Sequence, residues 1–96
     1  MKAYVIVDVQ IKDPVIYEEY KKLTPGSLVP FEGKFIVRGA TTETLEGDWQ
    51  PGRFVILEFP SLKNAKAWWA SDNYAAAKAL RQSCSITNMV VVEGIS

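Results

Sequence analysis

Apolar and polar residues alternate at the start of the chain. Ala3, Val5, Val7, Val9 and Ile11 share one parity, and Tyr4, Ile6, Asp8 and Gln10 share the other. A period of two puts these sets on opposite faces of a β-strand over residues 3–11. Tyr4 and Ile6 make the second face too apolar to stand fully open to water, so both faces are expected to be at least partly covered. Asp13-Pro14 then opens a helix, with Asp13 as N-cap and Pro14 at the first helical position, where no N–H is needed. Ile16, Tyr20 and Leu23 form its apolar stripe, and Glu18 and Lys22 are spaced for an outer i,i+4 pair. Thr24-Pro25 is expected to interrupt this helix, leaving a short segment that ends near Gly33 and is made irregular by Pro30.

A second strand is predicted over Lys34–Gly39 and a third over Arg53–Phe59. Residues Thr41 to Gly52 connect them, with turn pairs at Gly47-Asp48 and Pro51-Gly52 and a small extra strand expected around Glu43–Leu45. Pro60-Ser61 ends the third strand, and Ser61 caps a helix whose buried stripe is Leu62, Ala65 and Trp68 or Trp69. Ser71-Asp72 reads as a second cap in mid-run and predicts a kink. The alanine-rich stretch Tyr74–Arg81 continues as helix, and Thr87–Glu93 is the last strand.

The order βαββαβ, two right-handed β-α-β units around a central hairpin, predicts an α+β ferredoxin-like sandwich. Its four-stranded antiparallel sheet would have the first and third strands central and both helices on one face. Val5, Val7, Val9, Val55, Leu57 and Phe59 are the expected helix-facing set. The other face would carry Tyr4, Ile6, Asp8, Ile36, Arg38, Phe54, Ile56 and Glu58, an exposed apolar patch. A second copy packed sheet against sheet is the simplest cover, which predicts a homodimer. A chain of 96 residues makes one domain, 1–96, with a core thin enough for a partner subunit to help.

Charge narrows the classes of function. Eleven basic residues balance eleven acidic ones, so no basic surplus exists to neutralise nucleic-acid phosphates. The chain has no histidine, which removes the commonest general base and metal ligand. Its single cysteine, Cys84, leaves no intrachain disulfide and no Cys-based metal site. Asp8 breaks any signal-peptide core, and no apolar run approaches the ~20 residues that span a membrane, so a cytoplasmic protein is expected. No Gly-rich phosphate loop and no metal constellation is present, and neither a metal nor a cofactor is expected.

Several runs resemble domain-of-unknown-function family 1330. They are Tyr4-Val5-Ile6-Val7-Asp8-Val9 with Asp13-Pro14, Val37-Arg38-Gly39, Leu45-Glu46-Gly47-Asp48-Trp49-Gln50-Pro51-Gly52-Arg53, Leu57-Glu58-Phe59-Pro60-Ser61, Ala67-Trp68-Trp69-Ala70-Ser71-Asp72-Asn73-Tyr74 and Ala79-Leu80-Arg81. The resemblance covers essentially the whole chain, and the Glu-Gly-Asp-Trp-x-Pro-Gly-Arg loop is its most specific part. Pro30 and Ser83-Cys84-Ser85 depart from the family's pattern and blur the helix ends. The resemblance implies a dimeric α/β barrel, two ferredoxin-like protomers with their sheets packed together, and no settled reaction.

Strand directions sort the polar residues that are out of place. Asp8, Arg38, Arg53 and Trp49 are expected to converge on one rim, with Glu58 and Glu93 at the opposite end near Lys2. In a functional reading the rim is an anion-binding mouth. Arg38 or Arg53 holds a carboxylate or enolate, Trp49 covers it and Asp8 acts as base. The alternative is an Asp8–arginine pair across the dimer seam, with Trp49 anchoring the long loop. Glu58 is a weaker catalytic candidate, because Lys2 shares its face. Tyr74 and Tyr20 carry hydroxyls for a ligand or a backbone carbonyl. Ser71 reads as a cap, Cys84 as a small buried apolar group, and one of Trp68 and Trp69 as core with the other an interface or pocket wall. Two functions follow. One is a homodimer that binds or transforms a small oxo, enol or carboxylate-bearing molecule without a cofactor. The other is a non-catalytic binding or structural dimer. An interior cavity of several hundred Å³ reached by these residues would mark the first, and salt bridges with no cavity the second.

Overall fold

A computed structural model describes residues 1–95. Its elements are β1 (Ala3–Ile11), α1 (Pro14–Leu28), a 3₁₀ turn (Val29–Phe31), β2 (Lys34–Arg38), β3 (Arg53–Phe59), α2 (Leu62–Ala70), α3 (Asp72–Cys84) and β4 (Ser85–Glu93). The four strands form one antiparallel sheet in the order β2-β3-β1-β4. This is the ferredoxin-like arrangement, with the helices on one face. The molecule measures 31 × 31 × 17 Å, the thickness of one sheet and one helix layer.

The alternation of β1 is realised as expected. Val5, Val7 and Val9 are buried against Leu57, Val55 and the backbone of Arg53 on β3, and the helices close over them. Trp68, the core tryptophan of the adjacent pair, is fully buried between Phe59 and Tyr74, with ring centroids 5.5 and 4.1 Å away. Its indole N–H donates to Ser27 Oγ at 3.0 Å, so the one polar atom of the ring is satisfied inside the core. Ser61 and Ser71 cap α2 and α3, accepting from the N–H groups of Asn64 and Tyr74, and the chain breaks between the two helices where the second cap predicted a kink.

Helix α1 departs from its sequence pattern. It runs through Thr24-Pro25 without interruption to Leu28. A proline at position 25 has no N–H for the carbonyl of Lys21 one turn back. Arg38 Nη2 donates to that carbonyl at 3.3 Å, so a tertiary contact supplies the bond that Pro25 withholds. The buried stripe is Tyr17, Tyr20, Thr24, Ser27 and Leu28, with Ile16 only partly covered and Leu23 exposed. The outer ion pairs are Lys21–Glu18 and Lys22–Glu19 at i,i+3, in place of Glu18–Lys22. No strand forms around Glu43–Leu45, and β4 begins at Ser85, two residues before the expected start.

The outer face of the sheet has no helix over it. It carries Tyr4, Ile6, Phe54 and Ile56, all partly covered, together with Ile86, Val90 and Val92, which are 56%, 59% and 47% exposed. None of the helices is long and apolar enough to cross a membrane. Trp68→Ala is expected to lower unfolding free energy by about 3–5 kcal/mol, read by urea denaturation, because it removes the ring that three elements pack on.

Candidate functional site

The four residues expected on one rim are split between the two faces of the sheet. Arg53 shares the parity of Val55 and Leu57 on β3, and a β-bulge in β2 moves Arg38 to the same side. Phe35 lies opposite Leu57, but the register shifts between Phe35 and Val37, so that Val37 faces Ile56 and Arg38 faces Val55. The extra residue reverses parity beyond Phe35. Arg38 therefore joins Phe35 and Val55 on the helix side, with its guanidinium 4.2 Å from the centre of the Phe35 ring. Arg53 pairs with Val9 and lies on the same side, 5.7 Å from the Tyr17 ring.

Asp8 and Trp49 remain together on the outer face. Trp49 Nε1 donates to Asp8 Oδ2 at 2.7 Å, and the Gly52 N–H donates to Oδ1 at 2.8 Å. Thr44 Oγ1 donates to the Trp49 carbonyl at 2.6 Å. The Asp8 carboxylate thus ties the closing turn of the long connection to the sheet at two points. A side chain at Gly52 would run into the Val9 carbonyl, which is why the chain can approach Asp8 so closely there. Among the described residues Asp8 makes no ion pair with an arginine.

On the helix side, Arg38 and Arg53 border a small void of about 20 Å³ beneath α1, lined also by Tyr17, Tyr20, Thr24 and Met89. This is neither the cavity of several hundred Å³ nor a salt-bridged interior. It has room for about one water. Arg53 Nε is sealed from solvent and has no hydrogen-bond partner among the described residues. Gly39, at φ 72°, lets the chain turn closely past the Arg53 guanidinium. Burial pushes the Tyr17 hydroxyl above the ordinary tyrosine range, and nearby Tyr20 adds to the rise. The positive charge of Arg53, and less strongly that of Arg81, pulls the other way.

Tyr74 is fully buried. Its hydroxyl lies 2.9 Å from the Tyr20 hydroxyl and accepts from Arg81 Nε at 3.3 Å. Burial, with Tyr20 beside it, raises the Tyr74 hydroxyl far above the usual range and keeps it neutral. Arg81 was absent from the sequence candidates. Its signal was a charge on the buried stripe of α3, in register with Tyr74, Ala77 and Cys84. Tyr17 carries no such signal, since it lies one residue off the apolar stripe of Ile16, Tyr20 and Leu23. The ion pairs among the described residues all run through lysines, so Arg38, Arg53 and Arg81 have no carboxylate partner. Those residues include no group of three His, Cys, Asp or Glu side chains placed to hold a metal ion.

Glu58 lies at the other end, with Lys34 Nζ 3.0 Å from Oε2 and Lys2 Nζ 3.3 Å from Oε1. The Tyr4 hydroxyl donates to Oε1 at 3.4 Å. The hydrogen bond from Lys34, and then Lys2, hold its carboxyl below the ordinary value of 4.5. Burial opposes them more weakly. A carboxylate held this way is a poor proton acceptor near neutrality. A depressed folded-state value means that Glu58 stabilises the fold above about pH 4.5 and loses that contribution as pH falls through the folded value. Glu58→Gln is accordingly expected to flatten the loss of thermal stability below pH 4.5, measured by circular dichroism melts across an acid series.

Solved structures place the chain in known company. It superposes on a protein of unknown function from Rhodopseudomonas palustris with a TM-score of 0.78 at 17% identity, covering 99% of this chain and 83% of the other. It matches a dimeric ferredoxin-like protein of unknown function from Jannaschia sp. CCS1 with a TM-score of 0.71 at 11% identity, covering 98% and 100%. SnoaB, a cofactor-independent oxygenase from Streptomyces nogalater, matches with a TM-score of 0.69 at 9% identity over 99% and 94% of the two chains. No curated protein matches the sequence. The model of one family, "Domain of unknown function (DUF1330)", matches residues 2–95, and the chain belongs to that family.

Proposed function

We propose that the chain forms a homodimer through its outer sheet faces and that each protomer binds a small oxo, enol or carboxylate-bearing molecule at Arg38 and Arg53, without a cofactor. The ligand reading rests on one observation, the buried and unpartnered Nε of Arg53 beside the void under α1. An unsatisfied buried donor on a permanent cation is costly, and an anionic oxygen there would relieve the cost. Arg38 would hold the same group from the rim, and the Tyr17 hydroxyl would donate to a developing enolate. The void is too small for such a molecule as it stands, so binding requires α1 to move off β2 at the Arg38–Lys21 contact. SnoaB has the same fold and is a cofactor-independent oxygenase, so the fold accommodates chemistry of this class.

The dimer reading rests on the apolar outer face and on a thickness of 17 Å that lacks a third layer. The Jannaschia protein of this fold is dimeric. A non-catalytic dimer is the second reading. It is favoured by the size of the void and by the engagement of Asp8 with the long loop.

Light scattering at micromolar concentration should report twice 10.7 kDa. Ile56→Lys, which puts a charge in the centre of the outer face, should return a monomer. A wild-type monomer would remove the sheet-to-sheet dimer. Acetoacetate and pyruvate are expected to raise the melting temperature of the wild type by several degrees at saturation and to leave Arg53→Gln unmoved. Indifference of the wild type to every such anion would favour the non-catalytic dimer.

A further inference from the structure

Helices α2 and α3 do not fully cover β4. Between them and the strand runs a groove on the helix side of the sheet, opposite the outer face. One part has a volume of about 400 Å³ and is apolar, with Ala65 and Trp69 from α2 on one wall and Met89 and Val91 from β4 on the other. The next part, of about 390 Å³, shares Trp69 and Met89 and is polar, lined by Arg81, Gln82, Ser85 and Thr87. Each part is within the size range of small-molecule sites.

Arg81 is the feature that packing does not explain. It is only 5% exposed, yet among the described residues no carboxylate pairs with it, and its one side-chain hydrogen bond there is from Nε to the Tyr74 hydroxyl. Removing a cation from water without a counter-charge is costly, and an apolar residue would suit this stripe of α3 better. No Asp or Glu lines either part of the groove, while Lys66 borders the apolar part. Trp69 is held in place by Lys78, whose ammonium sits 3.9 Å from the centre of the ring and donates to the Trp69 carbonyl at 2.9 Å. Its indole is 45% exposed, a large flat apolar surface left open beside an adaptable thioether.

The geometry points to a site for a planar, apolar-bodied carboxylate: Arg81 takes the acid group at the polar end, with Thr87 beside it, and Trp69, Met89 and Val91 hold the body. This inference does not rest on the Arg38–Arg53 reading: the two spaces share Trp68 and Met89 in their walls, but the arginine of the groove is on α3 and those of the void are on β2 and β3. A single anion satisfies both features of the groove. Its charge neutralises Arg81, and its hydrophobic part covers Trp69.

The test is calorimetric titration of the full chain with 2-naphthoate and with its neutral isostere 2-naphthamide. The wild type is expected to bind the acid at least about tenfold more tightly than the amide, the difference a charge-assisted hydrogen bond makes. Arg81→Met should weaken naphthoate at least about tenfold, while the melting temperature of the ligand-free protein stays level or rises, since an unpaired buried charge has gone. A purely structural Arg81 would instead give a lower melting temperature with binding unchanged. Should Arg81→Met fail to fold, Val91→Trp, which fills the apolar end and leaves Arg81 intact, must abolish naphthoate binding. No binding to the wild type, equal affinity for acid and amide, or naphthoate binding that survives Val91→Trp would each overturn the assignment.

Discussion

The layers of this protein are joined at Trp68. Its ring lies between Phe59 of β3 and Tyr74 of α3, and its N–H reaches Ser27 of α1. One fully buried side chain therefore sets the spacing of sheet and helices on three sides. Its neighbour Tyr74 extends the contact through the Tyr20 hydroxyl back to α1. The helix layer is held together by this aromatic and hydroxyl chain as much as by aliphatic packing, which suits a domain with few large aliphatic side chains on its helices.

The same chain of contacts brings cations inward. Tyr74 accepts from Arg81, and Tyr17 feels both Arg53 and Arg81. Tyrosine hydroxyls can accept from a guanidinium without cancelling its charge, so the interior keeps a positive character that a carboxylate would have removed. By contrast, the acidic residue most firmly engaged within the sheet, Glu58, is met by two lysines at the opposite end. The placement of charge separates a stabilising ion-pair cluster at one end from unneutralised arginines at the other.

Two departures from regular structure arrange this end. Pro25 leaves the Lys21 carbonyl open, and the β2 bulge turns Arg38 toward it. Neither works alone: without the bulge Arg38 would face outward, and without the proline the carbonyl would be occupied by the helix itself. The long connection is handled differently. Asp8 binds it from the outer face, and Gly52 permits the approach. Asp8 and Trp49 are therefore bonded to one another, and both are separated by the sheet from the arginines they had been grouped with.

Element order, the caps at Asp13, Ser61 and Ser71, and the helix-facing set of β1 and β3 were legible in the chain, because they depend on local chemistry and on a period of two that a central strand cannot escape. The candidate site was legible only as a list of residue types. Arg38, Arg53, Asp8, Trp49 and Tyr74 stand out in the sequence as polar or aromatic groups, but its alternation places Arg38 on the outer face and the structure turns it to the helix side. A bulge is a property of two paired strands and leaves no mark on the alternation of one. The passage of α1 through Pro25 was hidden for a similar reason, since the donor that makes it possible lies 13 residues beyond the proline in the sequence, on another element. Arg81 carried a sequence signal, a charge on an apolar stripe, but its missing counter-charge emerged only when every neighbouring side chain was in place. The sequence by itself determined the element order and the fold. The tertiary structure decided which of the polar residues share a face, because pairing register and nonlocal hydrogen bonds are settled between elements.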